Sequence, residues 1–161
     1  MKQRVLITGS SGMLGIDLCQ ELHRDYDVIG ADVIASPVSE RRSRDWYRAR
    51  QSHKCDITKK IEVSNTVVKI KPSIVIHAAA WTDVDGCELN PKKAYKINSE
   101  GTKNVALACK AANATLIYLS TDFVFDGKRK NPYKETDKTG PLSIYADSKL
   151  KGEAAVKRIL K

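Results

Sequence analysis

The sequence of 161 residues lacks a long apolar run, a basic-then-apolar leader and a Cys-x-x-Cys pair. No apolar run approaches the roughly 18 residues that a membrane-spanning helix requires, so we expect no membrane insertion. The opening MKQRVLITG is not typical of a secretory signal. The cysteines fit no zinc-ligand spacing, and we expect no metal, with free thiols in a reducing cytoplasm as the simplest interpretation. They are Cys19, Cys55, Cys87 and Cys109.

Aromatic residues are few, at 6%, and no stretch resembles an aromatic-rich or helix-turn-helix reader of nucleic acid. We therefore expect no nucleic-acid partner, although 28 Lys and Arg against 19 Asp and Glu give a net charge of +9. Two clusters carry much of this excess, and each is compatible with a solvated face or with an anion-binding role. They are Arg41, Arg42, Arg44, Arg48 and Arg50, and Lys149, Lys151, Lys157, Arg158 and Lys161.

Strand-like and helix-like segments alternate along the chain, and apolar residues at 42% suffice for one packed core. The predicted strands are 4–8, 27–32, a weak one near 53–57, one beginning at 73, and 114–120. The predicted helices carry Leu14, Leu18 and Leu22 on one face, then span 58–71 with Thr58 as N-cap, then 91–113, and finally run from about 141 towards the C-terminus. Segment 36–51 is a long irregular connection.

This alternation predicts an α/β fold, a Rossmann-like doubly wound parallel sheet of about five strands in a single domain, residues 1–161. The runs VLIT, IVIH and LIYL are apolar at consecutive positions, which is typical of strands that are buried on both faces.

The segment TGSSGMLG places three glycines, Gly9, Gly12 and Gly15, after the first strand and at the start of a helix. Glycine permits a tight turn and a close approach of pyrophosphate, and the helix N-terminus offers unpaired N–H groups. We therefore predict a dinucleotide site in which the cofactor contacts Gly9, Ser11, Gly12, Met13 and Leu14.

Two acidic residues extend this predicted site. Asp32 lies 23 residues after Gly9, near the offset at which a carboxylate binds the adenosine ribose. Such a carboxylate favours NAD over NADP, whereas an arginine among residues 41–44 could neutralise a 2′-phosphate, so NAD(P) is expected with a slight preference for NAD. The Asp56–Ile57 segment either holds the adenine edge or, through Asp56, caps the helix near Thr58.

A proton-transfer group is predicted near the C-terminus, where Tyr145 and Lys149 are four residues apart in a helix and share one face. A free tyrosine has a pKa of about 10, which is high for acid–base work, and a nearby ammonium lowers it. Thr121 follows the fifth strand, at the edge where open α/β sheets bind ligands, and its hydroxyl could orient a carbonyl.

The stretches TGSSGMLG, HAAAWTDVDGCE, STDFVFDG and PYKETDKTGPLSIYADSKLKGE resemble the extended short-chain dehydrogenase/reductase family. Within that family they are most similar to the dTDP-4-dehydrorhamnose reductases, which act in dTDP-rhamnose biosynthesis. The resemblance implies that Thr121, Tyr145 and Lys149 are catalytic and that Tyr145 and Lys149 also contact the cofactor.

Further site residues follow from the same resemblance. It implies that Ala78, Ala79 and Ala80 back the cofactor, that Asn98 lies near the active site, and that a nucleotide-sugar substrate faces Thr82, Val84 and Asp85. The implied activity is reduction by NAD(P)H of the C4 carbonyl of a dTDP-4-dehydro-6-deoxy sugar. Two alternatives stay open: a non-catalytic NAD(P)-binding regulatory subunit, and another nucleotide-sugar epimerase or dehydratase.

The resemblance also implies a longer protein, because members of this family continue for well over a hundred further residues. On this basis we expect a domain that is truncated relative to the family and lacks the C-terminal substrate domain. The strand at 114–120 would then have an uncovered apolar edge, and such an edge invites pairing with another chain. We expect either a homo-oligomer or a second polypeptide that supplies the missing part.

Overall fold

The computed structural model describes residues 2–33 and 52–161. The predicted irregular connection at 36–51 and the first arginine cluster, with its suggested 2′-phosphate role, lie outside the described residues.

Five strands form one sheet with the order β3-β2-β1-β4-β5, and every pairing between neighbours is parallel. Their bounds are β1 Arg4–Thr8, β2 Asp27–Asp32, β3 Ser52–Lys54, β4 Ile74–His77 and β5 Thr115–Tyr118. The chain steps outward from β1 in one direction and then returns to the other side of it. This reversal creates a crevice at the carboxyl ends of β1 and β4, where open α/β sheets bind ligands. The predicted fold class is confirmed.

Helices connect the strands. Their bounds are α1 Met13–Leu22, α2 Lys60–Ile70, α3 Val84–Leu89, α4 Pro91–Ala94, α5 Thr102–Ala112 and α6 Ile144–Ile159. A π-helical segment, Tyr95–Gly101, joins α4 to α5, so the predicted long helix is continuous but changes its hydrogen-bonding pattern midway. π-Helical turns inside α-helices are rare and frequent at functional sites. A 3₁₀ turn, Asp122–Val124, follows β5.

The core has two parts, one on each face of the sheet. On one face, Leu6 and Val75 pack against α2 and α5, with Val67 and Val105 among the buried side chains. On the other face, Val5, Ile7 and Ile76 pack near Cys19 of α1. The β1 and β4 runs are therefore buried on both faces, as the sequence predicts.

The prediction that LIYL is buried on both faces is wrong. Among the described residues, β5 pairs with β4 alone, and its Thr115 and Ile117 are exposed while Leu116 and Tyr118 are half-buried. Leu116 packs against the core on the α2–α5 side of the sheet, whereas Ile117 lies on the opposite face and is not part of the core there.

Two local predictions also need correction. The second helix begins at Lys60 with Lys59 as N-cap, because Thr58 is held in a preceding turn: its N–H and its hydroxyl both donate to Asp56. On α1, Leu18 and Leu22 of the predicted helix face pack against the core, whereas Leu14, one turn earlier, is exposed.

The cysteines and the C-terminal basic cluster, which consists of Lys149, Lys151, Lys157, Arg158 and Lys161, lie in the described part of the chain. All four cysteines are buried, and none of them forms a disulfide within the described part of the chain. In the C-terminal basic cluster, Lys149 is buried, whereas Lys151 pairs with Asp147 at 2.8 Å and Lys157 with Glu153 at 3.4 Å. Among residues 2–33 and 52–161, no helix is long and apolar enough to cross a membrane.

Candidate active site

The glycine turn, residues 9–12, links β1 to α1. Gly9 has φ +74°, and a Cβ there would lie 2.6 Å from the backbone N of Ala79, so only glycine fits between the ends of β1 and β4. At Gly15 a Cβ would lie 2.1 Å from the Gly9 carbonyl oxygen, which excludes a side chain where α1 meets the turn. At Gly12 a Cβ would approach that same oxygen at 3.3 Å, a tight contact but a smaller overlap than at Gly15. The turn thus presents bare main chain at a helix N-terminus, as a pyrophosphate requires.

Asp32 lies at the end of β2, beside this turn. Its Oδ2 accepts a hydrogen bond from the Ser11 N–H at 2.9 Å. Met13 and Leu14 are 87% and 50% exposed, although both are apolar. The five residues predicted at the turn and the acid predicted to follow them therefore lie together at one edge of the sheet.

The Asp56–Ile57 segment has structural contacts. The Asp56 carboxylate accepts the two hydrogen bonds from Thr58, and the Asp56 N–H donates to Glu62 at 3.0 Å. The Ile57 side chain is buried against Gly101, and its carbonyl accepts from Asn104. Of the two roles that the sequence leaves open for Asp56, these contacts favour the one in the helix-start turn.

Tyr145 lies in the first turn of α6. Ser143 caps this helix, and its hydroxyl accepts from the Ala146 N–H at 3.1 Å. Burial raises the pKa of the Tyr145 phenol, and the nearby Thr121 side chain partly offsets this rise. The sequence predicts a lowered pKa, but in the structure it is raised because the ring is half-buried, packing edge-on against Phe123 with the centroids 6.2 Å apart.

Lys149 lies one turn further along α6 and is almost completely buried. Its Nζ donates to the Leu119 carbonyl at 2.6 Å and lies 4.3 Å from the centroid of the Tyr118 ring. Burial lowers the pKa of Lys149 to about 8, against a smaller opposing effect of the Glu153 carboxylate. Burial therefore brings the deprotonation of this ammonium closer to neutral pH, although it keeps most of its positive charge at pH 7.

Thr121 stands between β5 and the 3₁₀ turn. Its hydroxyl oxygen accepts from the Phe123 N–H at 3.2 Å and donates to Asp122 at 3.3 Å. The Thr121 side chain lies near enough to the phenol to offset part of the rise in the pKa of Tyr145, and Phe123, two residues further on, packs against the Tyr145 ring. The predicted Thr121 and Tyr145 pair is therefore brought together at the carboxyl end of the sheet.

Asn98 is buried inside the π-helical segment, and its amide is fully engaged within the protein. Its Oδ1 accepts from the Trp81 N–H at 2.8 Å, and its Nδ2 donates to the Trp81 carbonyl and to Ser148 Oγ, both at 3.0 Å. Asn98 is therefore a link between the segment after β4 and α6. The sequence predicts its place near the site but misses its partners, because no spacing rule joins positions 81, 98 and 148.

The remaining predicted residues follow β4. Ala78, Ala79 and Ala80 are half-buried. The Ala78 N–H donates to the Thr8 carbonyl at 3.1 Å, so this segment lies directly beside the glycine turn. Thr82 and Asp85 are exposed, and Val84, the first residue of α3, is half-buried. In the described ranges 2–33 and 52–161, no three His, Cys, Asp or Glu side chains are grouped to hold a metal ion.

Residues 2–161 match the family described as the RmlD substrate binding domain. The chain belongs to this family. It is 37% identical to a dTDP-4-dehydrorhamnose reductase of Streptomyces griseus over 99% of its own length and 46% of that protein, and 38% identical to one of Aggregatibacter actinomycetemcomitans over 93% of its length and 45% of that protein. The family resemblance found in the sequence is confirmed.

A solved structure gives the same result. The crystal structure of dTDP-4-dehydrorhamnose reductase from Bacillus anthracis in complex with NADP superimposes with a TM-score of 0.84 at 39% identity. The superposition covers 99% of this chain and 50% of that one. The chain thus spans about half the length of the relatives that it matches, and the matched half contains the five-stranded sheet, the glycine turn and the Tyr145–Lys149 helix.

Proposed function

We propose that this chain is the NAD(P)-binding and proton-donating part of a reductase that converts the C4 carbonyl of a dTDP-4-dehydro-6-deoxy sugar to an alcohol. The observation that carries this proposal is the placement of Tyr145 beside the turn that follows Thr121, where its ring packs edge-on against Phe123 with centroids 6.2 Å apart, at the same sheet edge as the glycine turn. Membership of the RmlD substrate binding domain family and the named relatives support the substrate class.

The residues at the turn fit a dinucleotide, because Gly9 and Gly12 leave the main chain without side chains at a helix N-terminus. When bound, the reduced nicotinamide supplies the hydride. The Tyr145 phenol holds a proton, which its raised pKa keeps in place at neutral pH, and releases it to the alkoxide oxygen. Thr121 orients the phenol and the carbonyl, and Lys149 provides positive charge on the same helix face as Tyr145.

We further propose that NAD is preferred slightly over NADP. The support is Asp32, whose carboxylate stands at the turn and would repel a 2′-phosphate. Calorimetric titration of the chain with NADH and with NADPH measures the preference. Tighter binding of NADH, reversed in Asp32→Ala, is expected, and tighter NADPH binding by the unaltered chain would contradict the preference.

The activity is tested in a chimaera that joins residues 1–161 to the remaining half of the Bacillus anthracis relative. We expect oxidation of NAD(P)H that depends on the dTDP-4-dehydro sugar. Tyr145→Phe should lower turnover by at least about a hundredfold, as loss of a general acid does, with cofactor affinity nearly unchanged. A chimaera that binds cofactor and substrate without turnover would point instead to the regulatory alternative.

A further inference from the structure

A buried chain of hydrogen bonds connects the ends of two strands to the π-helical segment. His77, the last residue of β4, is completely buried. Its Nδ1 lies 2.6 Å from Oγ1 of Thr8, the last residue of β1, and its Nε2 lies 3.0 Å from Oγ1 of Thr102, the first residue of α5. Thr8 and Thr102 are also buried. The proposed proton transfer uses none of these three side chains.

The contacts determine where the imidazole proton lies. The Thr102 hydroxyl donates to the Asn98 carbonyl at 2.7 Å. A hydroxyl has a single proton, so Thr102 can only accept from His77, and Nε2 must carry the hydrogen. Nδ1 then has a free lone pair and accepts from the Thr8 hydroxyl. One tautomer satisfies all three groups.

The surroundings keep this imidazole neutral. The Tyr118 ring of β5 stacks on His77 with centroids 5.5 Å apart, and the Lys149 ammonium of α6 lies over the same tyrosine ring. Burial, and secondly the charge of Lys149, lower the pKa of His77 to about 3. Protonation would also put a hydrogen on Nδ1. The Thr8 hydroxyl, which donates to Nδ1 in the neutral form, would then have to rotate and accept instead.

The chain of bonds ends on both parts of the candidate active site. Thr8 immediately precedes Gly9 of the glycine turn. Through Thr102 the imidazole holds the carbonyl of Asn98, whose amide bonds the Trp81 backbone and Ser148. Ser148 lies between Tyr145 and Lys149 and donates to the Tyr145 carbonyl at 2.7 Å.

We propose that His77 is a positioning residue, a permanently neutral Nε2–H imidazole that fixes the π-helical segment and thereby sets the glycine turn and the Tyr145–Lys149 helix at a constant spacing. Its effect on cofactor binding rests on the proposed function, whereas the position of the proton does not. The π-helical turn is the element that the histidine holds, since Thr102 begins the helix directly after it.

The proton position is tested on the ¹⁵N-labelled chain without cofactor. Long-range ¹H–¹⁵N spectra should show His77 with a protonated Nε2 and an unprotonated Nδ1, unchanged from about pH 5 to 8, a range in which an ordinary histidine titrates. A protonated Nδ1, or titration within this range, would overturn the proposal.

The positioning role is tested by Thr102→Val, His77→Asn, which is too short to reach Thr102, and the double variant. Each should shift the Asn98 side-chain amide signals and raise the NAD(P)H dissociation constant about fivefold, as loss of one buried hydrogen bond does, with the double variant no worse than either single one. Thr102→Ser should restore both readouts, and Thr115→Val, at an exposed threonine of β5, should change neither.

Unaltered affinity and amide signals in Thr102→Val, or additive losses in the double variant, would refute the positioning role. If the unaltered chain binds no cofactor, the proposed function fails, and the Asn98 amide signals still decide whether His77 acts on the π-helical segment.

Discussion

Gly12 and Gly15 lie three residues apart, yet their surroundings in the structure differ. A methyl group at Gly15 would overlap the Gly9 carbonyl, whereas one at Gly12 meets only that oxygen at 3.3 Å. We therefore expect the first glycine of this pair to matter mainly for the proposed cofactor, which would approach its bare main chain, whereas the second allows α1 to pack on the turn.

Gly12→Ala should therefore leave the free energy of unfolding within about 1 kcal/mol of the unaltered chain while it weakens NAD(P)H binding at least about tenfold. Gly15→Ala should lower the free energy of unfolding by about 1–3 kcal/mol, because overlapping backbone must move. Urea denaturation and calorimetry measure the two effects. The opposite order, with Gly12→Ala the less stable protein, would contradict this assignment.

The buried ammonium of Lys149 should make the stability of the folded chain depend on pH. Because its pKa is lowered to about 8 in the folded chain, the unfolded chain binds more protons between that value and the ordinary pKa near 10.5. The free energy of unfolding contributed by this residue therefore rises with pH through that interval, and the penalty for the buried ammonium is fully present below it.

Lys149→Met removes this dependence. We expect the variant to have a higher free energy of unfolding than the unaltered chain. This difference should fall by about 1 kcal/mol between about pH 7 and pH 9. Chemical denaturation at several pH values gives this difference. Lys151→Met, at an exposed lysine of the same helix, serves as control, and an equal trend in both variants would argue against a buried ammonium.

At the scale of elements, α6 depends on its N-terminal cap because its first turn carries Tyr145. Ser143→Ala removes the acceptor for the Ala146 N–H and should lower the free energy of unfolding by about 1 kcal/mol. Ser64→Ala, at an exposed serine within α2, should be neutral or slightly stabilising. Thermal and urea unfolding compare the two; equal effects would show that the cap contributes nothing.

At the scale of the whole molecule, β5 is the side of the sheet on which association is expected. Among the described residues it pairs only with β4, and Ile117 is 45% exposed on its open face. Unpaired strand edges with apolar side chains favour strand pairing between chains, while the net charge of +9 opposes it.

The chain should therefore self-associate in a concentration-dependent manner, more strongly when salt screens its charge. Ile117→Lys should shift the population to monomer in sedimentation or size-exclusion experiments. Val68→Lys adds the same charge at an exposed apolar residue of α2 and should have a smaller effect. Equal shifts in both variants would indicate that charge alone, and not the β5 edge, controls association.

Sequence alone was sufficient for the sheet, the glycine turn and the family, because these depend on local rules. Arg4–Thr8 and Asp27–Asp32 are strands within the predicted bounds, since consecutive apolar residues bounded by glycine and acidic positions have few other solutions. Gly9, Gly12 and Gly15 follow a fixed spacing whose backbone geometry is set within eight residues.

Tertiary structure decided what depends on contacts between distant segments. The raised pKa of Tyr145 comes from burial, and the position of Lys149 comes from a carbonyl 30 residues away, neither of which a Tyr-x-x-x-Lys spacing encodes. The exposure of Ile117 depends on which strand lies beside it. His77 is an ordinary strand residue in the sequence, and only the meeting of β1, β4 and α5 gives its two nitrogens their partners, because hydrogen bonds require atoms about 3 Å apart.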